Sequence, residues 1–132
     1  MSTQDPVGLA LAGIGAGTTT GASVMTAGVF AVRFMQASGN ASAEVGGSII
    51  SATLFAGIVA AVLSAWIVTA PIADIWRRGV TAGISVLGAA LLAIGATVAD
   101  QLTGVIGVGT YGAVLVVAAA VTHRAARRLG HT

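Results

Sequence analysis

Few side chains in this sequence could do chemistry, and their spacing does not assemble them. His123 and His131 are the only histidines, and there is no cysteine. Without thiols there is no disulfide framework, thiolate metal site or cysteine nucleophile. A haem or pigment held inside a helical bundle needs an imidazole there, usually with a second ligand at similar depth. His123 stands beside Arg124 at the end of an apolar run and has no such companion. It reads as an interfacial side chain near a helix C-terminus, where positive charge is favoured. No Ser-His-Asp set or carboxylate pair is present for catalysis. We therefore expect no catalytic residues, no metal and no cofactor, and do not expect an enzyme.

Two motif matches fail on context. Gly107-Val108-Gly109-Thr110-Tyr111-Gly112 has the spacing G-x-G-x-x-G. A dinucleotide site also needs a preceding strand, a βαβ unit and an acid further on, whereas this match sits inside an apolar run. Asn40-Ala41-Ser42 is a formal glycosylation acceptor, but its loop is short and no other feature points to a glycosylating pathway. Asp74 with Arg77 and Arg78 has the spacing of an intrahelical ion pair. The threonines Thr18, Thr19, Thr20 and Thr26, with Ser23, are the polar groups best placed to line a solute path.

The elements that would carry these residues follow from composition. The chain has 132 residues, 56% of them apolar and only 8% charged, against ~25% charged in soluble domains. So few charges cannot cover a water-facing surface of this size, whereas lipid tolerates apolar faces if every backbone group is paired internally. Barrel strands would alternate in polarity; here the apolar stretches are unbroken. We expect an all-α integral membrane bundle, a single domain with spans at about 7–32, 47–73, 79–99 and 103–122. Each is long enough, since ~20 residues cross a hydrocarbon core of ~30 Å. The first is weakest in hydropathy because of its Gly and Thr content. Ala41-Ser42-Ala43 fits a cleavage pattern, but the leader lacks positive charge and Arg33 intervenes, so no cleaved signal peptide is expected. The longest connection runs from Phe34 to Gly46, with Gly46-Gly47 read as a breaker; Asp74–Arg78 and Asp100-Gln101-Leu102 read as short polar links.

Orientation follows from the arginines, which are the only basic residues besides the histidines. Arg77 and Arg78 lie between the second and third spans, and Arg124, Arg127 and Arg128 follow the fourth. The positive-inside rule places these five in the cytoplasm, with both chain ends, and leaves Arg33 outside. Trp76 joins the arginines as an interface anchor, with Trp66 a further belt residue or a packing one. The Arg124 set could also touch anionic lipid. A net charge of +2 gives no reason to expect nucleic acid as a partner.

Lipid tails compete equally for apolar surface, so helices in a membrane associate through close packing of small residues. Gly13, Gly17 and Gly21 form one such stripe; Ala52, Ala56, Ala60 and Ser64 form a second; Gly79 and Gly83 open a third. Gly104, Gly112 and Ala120 fall near one line of the last span. The expected role is structural or accessory: a homo-oligomer or a subunit of a larger membrane assembly, its partners being the bilayer, other membrane subunits or further copies. The alternative is a pore-forming, holin-like or small-solute transport protein. The absence of ionisable groups from the span cores counts against proton coupling. Arginine without lysine, with heavy Ala, Gly and Val usage, suggests a bacterial inner-membrane setting.

Overall fold

The computed structural model describes residues 6–37, 39, 43–70 and 72–131. Four helices follow one another: α1 (Pro6–Ala37), α2 (Ala43–Val68), α3 (Ile75–Thr103) and α4 (Val105–His131). Three segments, Gly46–Val68, Ile75–Thr103 and Val105–Arg128, are long and apolar enough to cross a membrane. Among the described residues the fold is thus all-helical, with three helices of membrane-spanning character.

Helix boundaries differ from the sequence expectation where local chemistry intervenes. α1 runs five residues past Val32, through Arg33, and its end is closed by Gly39 N–H donating to the Gln36 carbonyl at 3.1 Å. α2 begins at Ala43 and runs straight through the Gly46-Gly47 pair expected to break it. Gly46 is buried, and a Cβ there would sit 3.3 Å from Val32 Cγ1, so the glycine serves contact with α1. The same helix stops at Val68, short of 73, with Ile72 N–H bonded to the Thr69 carbonyl in the turn that follows.

The link expected at Asp74–Arg78 is largely the first turn of α3. Asp74 is its N-cap, with Oδ1 accepting from Trp76 N–H at 3.0 Å, the arrangement that satisfies an otherwise orphaned helix-start donor. At the other end Asp100-Gln101-Leu102 is helical too, and the whole α3–α4 break falls on Gly104. Its φ of 73° and ψ of −155° belong to a region that only glycine occupies without strain. Its N–H returns to the Asp100 carbonyl at 2.8 Å. Asn40-Ala41-Ser42 and Pro71 lie outside the described residues.

α1 is the hub of the bundle. It packs along its length on α2, α3 and α4, while α2 and α4 scarcely touch. Gly13 opposes Thr69, in the turn just past α2, and Gly28 opposes Thr53 within it, so those helices run antiparallel; Gly13 and Arg33 oppose Thr81 and Asp100 of α3, which runs parallel. Phe30 opposite Gly109, and Thr20 opposite His123, make α4 antiparallel. The core is Ala22, Met25, Ala61, Ala89 and Leu115, with Tyr111 packed against it. Outside, Phe55, Leu63 and Ile67, then Leu87, Leu91 and Ile94, then Val114, Val117 and Val121 are exposed along three helices. Apolar surface on that scale is rare on soluble monomers.

Candidate functional site

The inner contact surface is built on α1. Gly13, Gly17 and Gly21 are buried, one above another, facing α2 and α3. A Cβ at Gly17 would lie 2.7 Å from Ser85 Cβ and 2.8 Å from the Ala61 carbonyl oxygen; one at Gly21 would lie 2.8 Å from the Gly57 carbonyl oxygen. Neither position has room for a methyl group. Because α1 has no side chain at these points, its backbone meets the backbone of α2 and the small side chains of α3, which is how small-residue faces hold helices in lipid.

The partner face on α2 is one residue off the stripe read from the sequence. Gly57, Ala61 and Ala65 are buried against α1, whereas Ala52 and Ala56 are exposed and Ala60 is half-buried; of that stripe Ser64 alone is buried. Gly57 decides between the two registers. It stands opposite Gly21, and a Cβ there would sit 2.9 Å from the Gly21 carbonyl oxygen and 2.5 Å from Met25 Cγ. An alanine stripe cannot match that approach. Gly79 and Gly83 are also exposed, with no neighbour within 4 Å of where a Cβ would be, so they take no part in packing within the chain. On the last helix Gly104 is the break, Gly112 is half-buried opposite Thr26, and Ala120 is exposed.

The hydroxyls of Thr18, Thr19, Thr20 and Ser23 on α1 are engaged in helix-to-helix and back-bonded contacts. Thr18 Oγ1 donates to the Ser85 carbonyl at 3.4 Å, and Ser85 Oγ donates to the Gly13 carbonyl at the same distance. Thr19 donates to the Gly15 carbonyl at 2.7 Å and lies 3.2 Å from Thr122 Oγ1. Ser23 donates to the Thr19 carbonyl at 2.7 Å. His123 is the departure from expectation. Its Nε2 lies 3.0 Å from Thr20 Oγ1, so the ring turns inward onto α1 and is half-buried. With Thr122 beside it, α4 is clamped to α1 by two polar contacts from consecutive residues. Among the described residues, no cluster of His, Cys, Asp or Glu could hold a metal ion.

The arginines fall into four settings. Arg33 Nε contacts both Asp100 oxygens, at 3.1 and 3.0 Å, and its Nη1 donates to Gln36 Oε1 at 3.0 Å, tying the ends of α1 and α3. Arg77 is exposed, 3.8 Å from Asp74. Arg78 is half-buried, its guanidinium 3.9 Å over the Trp66 ring and its Nη2 donating to the Trp66 carbonyl at 2.9 Å. Trp76 is 78% exposed; Arg124, Arg127 and Arg128 are exposed on the last turns of α4.

Sequence reasoning did not reach the Gly57-Ala61-Ala65 face, the Arg33–Asp100 pair or the Thr20–His123 contact. The first had a signal, since glycine permits a closer approach than alanine. The other two join residues 67 and 103 positions apart, and nothing local marks them. Comparison with family models, curated proteins and solved structures finds no match for this chain.

Proposed function

We propose that this chain is a non-catalytic membrane protein that works by helix-to-helix association, as a homo-oligomer or a subunit of a larger assembly. In this reading α1 is a fourth span, both ends lie in the cytoplasm, and the setting is a bacterial inner membrane. The observation that carries it is the pair of small-residue faces on α2. One, Gly57-Ala61-Ala65, is used inside the chain; on the other, Ala52 and Ala56 are turned outward beside the exposed Phe55 and Val59, with Ala60 half-buried. A face of this kind lets the backbone of another helix approach closely, which is what supports the reading. The solute-path alternative has less support, because the hydroxyls of Thr18, Thr19, Thr20 and Ser23 are bound within the bundle.

The chain has no cysteine, so single introduced cysteines report contacts directly. Ala56→Cys in native membranes should form disulfide-linked species, of twice the chain mass or with a second protein, while Leu91→Cys on the outer face of α3 should not. A lone 12.8 kDa monomer after gentle detergent extraction, with no cross-linking at Ala56→Cys, would sink the proposal. Ion or solute flux through liposomes would favour the alternative.

A further inference from the structure

Between α1 and α4, near the end where Arg33 meets Asp100, the helices part over an outward-opening cavity of about 300 Å³, with Phe30 and Val116 exposed at its mouth. Its α1 wall includes Ser23, Thr26 and Phe30; its α4 wall includes Gly109, Gly112 and Val116. Glycine keeps it open: a Cβ at Gly109 would stand 3.1 Å from the Phe30 ring, and one at Gly112 3.3 Å from Thr26 Cγ2. That volume is at the small end of ligand pockets, roughly 300–1,000 Å³.

Thr26 sets this cavity apart. It is 1% exposed, and its Oγ1 makes no hydrogen bond. Thr19, Thr53, Thr69, Thr81, Thr103 and Thr110 each donate to the carbonyl four residues back; Thr26 makes no such bond to Ala22. A buried hydroxyl without a partner carries its full desolvation cost, and in a membrane no water is at hand to relieve it. The Cγ2 of the same side chain faces Gly112, and both residues line the cavity, so a rotation about Cα–Cβ that exchanges methyl and hydroxyl would turn Oγ1 toward the Gly112 wall.

The geometry points to a binding site for a lipophilic molecule with one carbonyl oxygen, its apolar body against Phe30 and Val116 and its oxygen accepting from Thr26 Oγ1. A carbonyl fits better than an alcohol. It brings no proton of its own, so one bond satisfies the pair, whereas an alcohol leaves one hydroxyl proton unplaced in hydrocarbon. No charged side chain lines the cavity, so an ionic ligand would be buried unpaired. The site stands independently of whether the chain associates with itself or with other proteins.

Benzophenone, a lipophilic ketone that cross-links on illumination, tests this on the full chain in detergent micelles. The label should concentrate in the peptides covering 23–30 and 108–116. Fluorenone should displace it roughly five- to tenfold better than fluorene, which has the same ring system without the carbonyl; that ratio is the size of one net hydrogen bond. In Thr26→Val the two competitors should become equal. Absent or uniform labelling of the four helices, or equal competition in the natural sequence, overturns the assignment. A hydroxyl that turned instead to the Ala22 carbonyl would give that equality. Should Thr26→Val fail to fold, the competitor ratio in the natural sequence still decides.

Discussion

Arg78, at the start of α3, sits over the ring of Trp66 near the end of α2, its Cζ 3.9 Å from the centroid, and donates to that residue's backbone carbonyl. The contact fastens the turn between the two helices. A planar guanidinium can stack and donate at once, which a lysine ammonium cannot. Arg78→Lys should therefore lower stability by about 1 kcal/mol, in the range of a partly desolvated cation–π contact. Arg77→Lys should be near neutral, since its pair with Asp74 is exposed and long. Detergent-titration unfolding of the two variants checks this; equal effects would show that the stacking contributes nothing.

The glycines of α1 and α3 should respond in opposite directions to the same substitution. Gly21→Ala forces a methyl into contacts under 3 Å with α2 and α3, at a cost of about 1–3 kcal/mol for overpacking. Gly83→Ala meets nothing and gains the helix propensity of alanine, up to about 1 kcal/mol in a helix interior. Unfolding midpoints of the two variants should move to either side of the natural protein.

Gly104 carries the whole turn between α3 and α4. Its backbone angles exclude side chains on steric grounds, although nothing stands within 4 Å of a Cβ there. Gly104→Ala should thus cost about 1–3 kcal/mol through backbone strain alone. Gly47→Ala, equally open but helical, is the control and should not destabilise.

Arg33 and Asp100 join α1 to α3, with the carboxylate far less exposed than the guanidinium. A double-mutant cycle with Arg33→Gln and Asp100→Asn should give a coupling of several tenths to about 1 kcal/mol. Exchanging the two residues should recover part of the loss. Strict additivity would mean the ion pair does not hold the helices.

Most of the fold is legible in the sequence because hydropathy and length mark long apolar helices without reference to neighbours. α1 shows where that reading weakens. Its Gly and Thr content lowers its hydropathy, so it is absent from the segments apolar enough to span by composition. Yet those residues are what let it sit at the centre, where glycines meet α2 and α3 and hydroxyls meet α3 and α4. Which stripe of α2 faces inward was not legible, because Ala52-Ala56-Ala60 and Gly57-Ala61-Ala65 are both small-residue faces one residue apart. Gly21 and Gly57 settle the register only once they are known to face each other. At Asp74 and Asp100 the polar residues suggest links, whereas Asp74 caps a helix and Asp100 belongs to the last turn before Gly104.

The placement of α1 across the membrane is the claim on which the bundle and its sidedness rest. Single cysteines at Gly47, at Ala73 and ahead of Pro6 can be probed in intact cells with a membrane-impermeant maleimide. Four spans with both ends inside predict labelling at Gly47 from outside, and at the other two only after permeabilisation. Labelling of the N-terminal cysteine together with Gly47 would show that α1 does not cross. Recovery of the protein in detergent-free buffer would contradict the account as a whole.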